Sequence, residues 1–366
     1  MTLSVSGDSI TFPDLSTLQT APSGFGFKNR IINGDMRIDQ RNAGASVTIS
    51  GASIFGVDRF QTRVVGGGAI AMQRSAVAPA GFVNSELLTV TTADTSIATT
   101  DECKLTHVVE GFNIADLGWG TANGQAITLS FWVRSSITGT YTVAMQNSAE
   151  NRSYPATYTI NTANTWEQKV IAVPGDTSGT WLVDNSIGMR VSWSLGSGAT
   201  YNGTANSWNA SDARATSGQT QWIGTTGATF YITGVQLEKG STATAFDYRD
   251  YGRELIMCQR YYFKQGNSNA QYLQIGIFVW DGTANCSFNY QLPVTMRAIP
   301  TFSKSGAFHS SFGAPNINGM ITDFSASTTK VVGLQSAGGS GGTTGYSSYI
   351  RAQNDFTAYF DFSAEL

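Results

Sequence analysis

Charge is what this chain has least of. Lys, Arg, Asp and Glu make up 13% of its 366 residues, against roughly 25% in ordinary soluble domains. Long solvent-facing helices draw on those straight-chain residues, so the composition disfavours a helical protein and favours turn-rich β structure. Cysteine is scarce too. Cys103, Cys258 and Cys286 form an odd, widely spaced set, which argues against a disulfide scaffold and for folding in a reducing cytoplasm. Histidine occurs twice, at His107 and His309, in no metal-binding spacing, and the chain has neither a GxSxG elbow nor a glycine-rich loop ending in GKS or GKT. The glycines at 66–68 lack the following helix that a phosphate loop needs.

Other absences narrow the class further. No run approaches 18 apolar residues, so no membrane insertion is expected. The opening MTLSVSGDSITF has no basic region followed by an apolar one, so no signal peptide is expected. A formal net charge of −3 gives no positive field for nucleic acid. No loop of the DxDxDG type occurs, so no metal and no cofactor are expected.

What the chain does have is alternation. Ile127, Leu129, Phe131 and Val133 interleave with polar or outward residues, as do Met189, Val191, Trp193 and Leu195. Turn sequences such as SSITGT and VPGDTSGT separate these runs. Short amphipathic strands at this spacing predict an all-β protein in which a jelly-roll sandwich covers residues 28–248. A helical stripe of Tyr251, Leu255, Cys258 and Tyr262 predicts a connecting helix over 249–264. Renewed alternation, closing on Phe356, Ala358, Phe360 and Phe362, predicts a second, C-terminal β-sandwich over 265–366. Residues 1–27 read as an extended arm or a frayed terminus.

The carboxylates Asp94, Asp101, Glu102 and Glu110 cluster in sequence, but ordinary loop and strand-end acids explain them better than a hydrolytic pair does. No enzyme is therefore expected. Aromatic residues carry more information: 8 Trp, 14 Tyr and 20 Phe. Sugar rings stack on aromatic planes while Asn, Asp and Gln read their hydroxyls. Candidate carbohydrate-binding residues are Tyr201, Trp208 and Trp222 around a polar loop, and His309, Tyr346 and Tyr349 in the C-terminal region. Trp132 and Trp193 are assigned to the core.

Two stretches resemble known sequence. KNRIINGDMRIDQRNAG (residues 28–44) is similar to a segment near the start of many bacteriophage tail-fibre and receptor-binding proteins. VQLEKGSTATAFDYRDYGRELIMCQRYY (residues 235–262) is similar to the last strand and exit helix of the jelly roll that follows there, one resembling carbohydrate-binding modules. The family often has proline where this chain has Ala245 and Asp250. The resemblance implies a virion appendage made in the host cytoplasm, typically a homotrimer. Its arm would dock to other tail or baseplate proteins, and its C-terminal tip would contact a host surface polysaccharide. Leu255, Cys258 and Tyr262 would bury around a three-fold axis or pack within one chain. The rival readings are a baseplate, collar or head-fibre component without receptor binding, and a capsule depolymerase.

Overall fold

The computed structural model describes residues 4–6, 9–11, 17–18, 28–266, 274–280, 285–310, 320–323, 327–337, 343–352 and 354–366. Most of the expected N-terminal arm lies outside them. Its described parts are three short strands, Ser4–Ser6, Ser9–Thr11 and Thr17–Leu18, in one antiparallel sheet. Among the described residues the protein is all-β apart from one α-helix and short 3₁₀ turns.

Two six-stranded antiparallel sheets form the jelly roll. Sheet I runs, edge to edge, Glu167–Val173, Ile127–Ser135, Thr229–Lys239, Ser85–Thr92, Ala69–Ser75 and Val47–Ile49. Sheet II runs Ser153–Ile160, Gly139–Gln146, Ile187–Ser197, Glu102–Glu110, Phe60–Val65 and Ser53–Phe55. The alternation does what a pleated strand requires, sending Leu129, Phe131 and Val133 of sheet I against Tyr141, Tyr158 and Trp193 of sheet II. Trp193 is fully buried, as expected. Trp132 is not in the core; it stands half-buried on the outer face of sheet I, because it alternates with Phe131 and Val133.

An inward carboxylate breaks the apolar pattern. Glu86 is fully buried beside Leu88 and Met72. Burial pushes its carboxyl well above the usual value of 4.5, outweighing the Val57 backbone N–H, and Asp39 pushes the same way. Burial likewise raises Asp58 to about 6 against the pull of Arg41. A raised carboxyl pKa means the folded chain holds the proton more tightly than the unfolded one. Stability from this source is complete below the unfolded pKa and declines as pH rises toward the folded value. Glu86→Gln should therefore flatten the fall in urea midpoint as pH rises above the unfolded carboxyl range, leaving the smaller fall that Asp58, raised to about 6, contributes. A variant with the parental slope would refute the assignment.

The helix is shorter than expected, Tyr251–Gln259, and Asp250 caps it by accepting from the Arg253 backbone N–H at 2.9 Å. Tyr262 and Phe263 instead begin a strand, Tyr262–Gly266, paired with Tyr359–Ser363. That pair and Thr301–Ser305 make a three-stranded sheet. It faces a six-stranded one with Gln274–Trp280, Cys286–Gln291 and Ser347–Ala352 near its centre. Phe360 and Phe362 meet Phe288, Tyr290 and Phe308 between them, completing the second sandwich.

Residues 28–44 and 235–262, distant in sequence, are knitted together in space. Arg30 N donates to Leu237 O at 3.0 Å, and Val235 N donates to Gly34 O at 2.9 Å. The Asn29 side chain accepts from Leu237 N and donates to Val235 O. Arg249 reaches the backbone carbonyls of Asn29 and Ile31, and Glu254 accepts from Asn33 N. These polar groups are buried and satisfied by one another, which fixes where the helix leaves the sandwich.

Candidate functional site

The central strand of sheet II, Glu102–Glu110, is buried along its whole length. Cys103, Leu105 and Val109 fill the core, so Glu102, Lys104, Thr106 and Val108 must point outward and be covered from outside. The cover is the segment 198–221. It is pinned by small polar side chains on the outer face of the sheet. Thr142 meets Thr216 at 3.0 Å, Gln219 donates to Ser194 at 2.8 Å, and Gln146 donates to Asp212 at 2.7 Å. Ser153 donates to the Ser211 carbonyl at 2.7 Å.

Hollows lie on this face, and two of them are lined by the outer strands and the covering segment. The first, about 350 Å³, is floored by the outward side chains of Glu102, Lys104 and Thr106, with Arg190, Tyr201 and Arg214 among its walls. Its charges are interlocked. Glu102 pairs with Arg63, with Lys104 at 3.3 Å and with Arg214 at 3.2 Å. Arg214 also reaches Asp212 at 3.0 Å, and Arg190 pairs with Glu150 at 2.9 Å. The Arg214 guanidinium lies 3.8 Å from the centre of the Tyr201 ring. Burial pushes the Lys104 ammonium below its usual value despite Glu102, because removing a charge from water outweighs one partner. The second hollow, about 740 Å³, is uncharged: Thr140, Thr157, Asn202, Thr204 and Asn209 line it with hydroxyls and amides.

Of the sequence-predicted residues, Tyr201 alone borders the charged hollow. Trp208 is half-buried, edge-on to Trp119 and Tyr154 at 5.2 Å each, with its indole N–H given to Pro174 O. Trp222 is fully buried against Phe230, so the sugar-stacking role expected for it is corrected: no ligand reaches that ring. On the C-terminal sheet, Tyr349 pairs with Ile277, and His309 pairs with Arg351, two residues from Tyr349 on the same face. Arg351 donates to His309 at 2.6 Å, and burial followed by that guanidinium lowers the imidazole pKa. Ile277 and Val279, both exposed, share the face, and Tyr346, 69% exposed, lies three residues before Tyr349.

The expected oligomer stripe also changes place. Cys258 is fully buried and Leu255 half-buried against Ile32, Ile38 and Tyr261 of the same chain. Tyr262 is buried beneath the Arg41 guanidinium, 3.5 Å from its ring. A helix of nine residues beside an apolar segment finds that cover intramolecularly. The helix leaves Tyr251 and Ile256 outward instead, each 55% exposed.

Unforeseen in the sequence were Arg63, Lys104, Glu150, Arg190 and Arg214. The readable sign was Glu102 and Lys104 alternating with Cys103 and Leu105, which places two charges on one face of a strand. Among the described residues, no group of three or more His, Cys, Asp or Glu is placed to hold a metal ion, and no helix is long and apolar enough to cross a membrane.

No family model matches the chain, and no curated protein matches it. Solved structures do. The enzymatically active domain of tailspike protein 4 of bacteriophage CBA120 is 11% identical with a TM-score of 0.29; the match covers 58% of this chain and 21% of that one. A family 11 carbohydrate-binding module from Clostridium thermocellum is 12% identical with a TM-score of 0.28, over 54% of this chain and 98% of the module. The C-terminal family 22 carbohydrate-binding module of Clostridium thermocellum Xyn10B is 12% identical with a TM-score of 0.29, over 56% and 99%. Neither identity nor superposition is high enough to carry over a ligand or an activity.

Proposed function

We propose that this chain is a non-enzymatic phage tail-fibre or receptor-binding component that attaches a virion to a host surface glycan. The observation that carries the reading is the outer face of sheet II, where a pinned segment leaves a walled, polar hollow against a rigid strand. Hydroxyls, amides and charges fixed by mutual bonds are suited to reading sugar hydroxyls, because little ordering remains to be done on binding. The hollow's two carboxylates, Glu102 and Glu150, are both engaged by cationic side chains and act as struts for them. That favours binding over hydrolysis. The motif resemblance of residues 28–44 and 235–262 supports the virion setting.

Assembly into a homotrimer belongs to the same proposal, through a surface different from the one first expected. Ile256 and Tyr251 of the helix are outward, and Phe112, 61% exposed, borders a depression with Met257. Linked copies would raise the avidity of weak sites by roughly 10²–10⁴.

The test is adsorption of the full chain to a glycan array and to host cells, with Tyr201→Ala for the hollow and Ile277→Ser/Tyr349→Ala for the C-terminal face. Tyr201→Ala should weaken glycan retention about tenfold, since it removes the wall that holds Arg214. The paired tip substitution should lower cell adsorption. A wild-type chain that retains no glycan would overturn the reading, and release of reducing ends from a bound polysaccharide would make it an enzyme.

A further inference from the structure

We propose that the hollow over Glu102–Thr106 selects an anionic glycan, a sugar chain bearing carboxylate, sulfate or phosphate groups. The inference rests on the glycan-binding reading and names its substrate class. Four cationic side chains, Arg63, Lys104, Arg190 and Arg214, line the hollow against two carboxylates, Glu102 and Glu150. Asp212 balances part of Arg214 from behind. A local positive surplus therefore remains in a chain whose formal net charge is −3. It is not a by-product of a basic protein.

Partnering points the same way. The Lys104 ammonium has one carboxylate, at 3.3 Å, for three donors, and among the described residues it makes no further side-chain hydrogen bond. The Arg190 guanidinium forms an ion pair with Glu150 through Nε at 2.9 Å and makes no side-chain hydrogen bond among the described residues. Its side chain is 21% exposed and that of Arg63 47%, so neither is sealed from a ligand, although the Arg190 Nε is buried and Arg63 also donates to Ser53. Planar guanidinium groups match the paired oxygens of carboxylate, sulfate or phosphate.

A neutral sugar would want an open aromatic plane instead. Among the described residues Tyr201 is the one aromatic lining this hollow, and Arg214 already lies against its ring. The hollow's volume, about 350 Å³, falls within the roughly 300–1,000 Å³ of small-ligand clefts, so it holds a short stretch of chain rather than a long fibre.

The experiment is isothermal titration of the full chain at 150 mM salt. One arm uses oligogalacturonate against its methyl ester, a second a sulfated oligosaccharide against its unsulfated parent, and a third polyglutamate. We expect at least one acidic sugar to bind tenfold or more tightly than its neutral counterpart. Which arm responds tells carboxylate from sulfate recognition. Arg190→Gln and Arg63→Gln, both at partly open positions, should each remove about tenfold of that preference without lowering the melting temperature. Equal binding of acidic and neutral partners would overturn the inference while leaving glycan attachment standing. So would a preference that survives both substitutions, or polyglutamate binding as tightly as the sugars. Failure to bind any sugar would overturn both readings together.

Discussion

Replacing Glu365 by alanine is expected to destabilise the junction between the two sandwiches by about 3–5 kcal/mol, the usual cost of stripping one partner from a buried ion pair. Glu365 lies in the C-terminal sandwich but its carboxylate is spent on the jelly roll. It bonds Arg59, whose side chain is 1% exposed, and Arg41 at 2.9 Å. Arg59 has few alternatives: it donates to Val108 O at 2.7 Å and lies 3.6 Å from the centre of the Tyr261 ring. Without Glu365 a guanidinium would remain in a site that water scarcely reaches. Glu365→Gln should cost less, because the amide oxygen still accepts one hydrogen bond. The measurement is the urea midpoint of each transition, at 0.1 and 0.5 M salt, since two sandwiches need not unfold as one. Burial predicts that the loss persists at high salt, unlike that of the open Lys239–Asp116 pair. A loss below about 1 kcal/mol, or one erased by salt, would show that the two sandwiches are held elsewhere.

The strands were legible because alternation is a local property. Leu129, Phe131, Val191 and Trp193 announce their face by spacing alone, and the sandwich core follows. Trp132 was misplaced by ranking residue type above that spacing. Its large apolar ring argued for the core, while its place between Phe131 and Val133 argued for the outside, and the pleat won. The helix end was illegible for a different reason. Tyr261 and Tyr262 fit the helical period, yet Tyr262 pairs with Ser363, about a hundred residues later, and no local pattern reveals such a partner.

The candidate site shows the same limit more sharply. Tyr201 could be singled out because an aromatic beside a polar loop is unusual, and it does border the hollow. Arg190 and Arg214 could not. Arg190 lies on a strand of sheet II, Arg214 on the segment folded over it, and Glu150 in a turn between two other strands. Their meeting depends on long-range register, with Arg190 opposite Val108 and also opposite Gln146. A site assembled from single residues of separate elements leaves no motif behind. The two motifs that did stand out, residues 28–44 and 235–262, are structural. They bond reciprocally, as Asn29 does with Val235 and Leu237 and Glu254 does with Asn33.

That reading of the motifs makes Gly34→Ala a severe substitution. A Cβ at residue 34 would lie 2.2 Å from the Val235 carbonyl oxygen, a backbone atom with no room to retreat, since the same oxygen accepts from Asn29. Relief requires the segment to move away from the last strand of sheet I. That would break the Val235 N–H to Gly34 O bond and loosen Asn33, which donates to Ile38 O and Asp58 O and meets Glu254 of the helix. The expected cost exceeds about 4 kcal/mol, in the range reserved for buried backbone clashes. Gly67→Ala is the control: its Cβ would meet nothing nearer than an Asp94 oxygen at 3.8 Å, so the change should stay within about 0.5 kcal/mol. Urea midpoints followed by tryptophan fluorescence separate the two. If Gly34→Ala unfolds with the parent, the segment 28–44 is not what ties the helix to the sandwich. If it unfolds far earlier while Gly67→Ala does not, residues 28–44 and 235–262 act as a clasp in the scaffold.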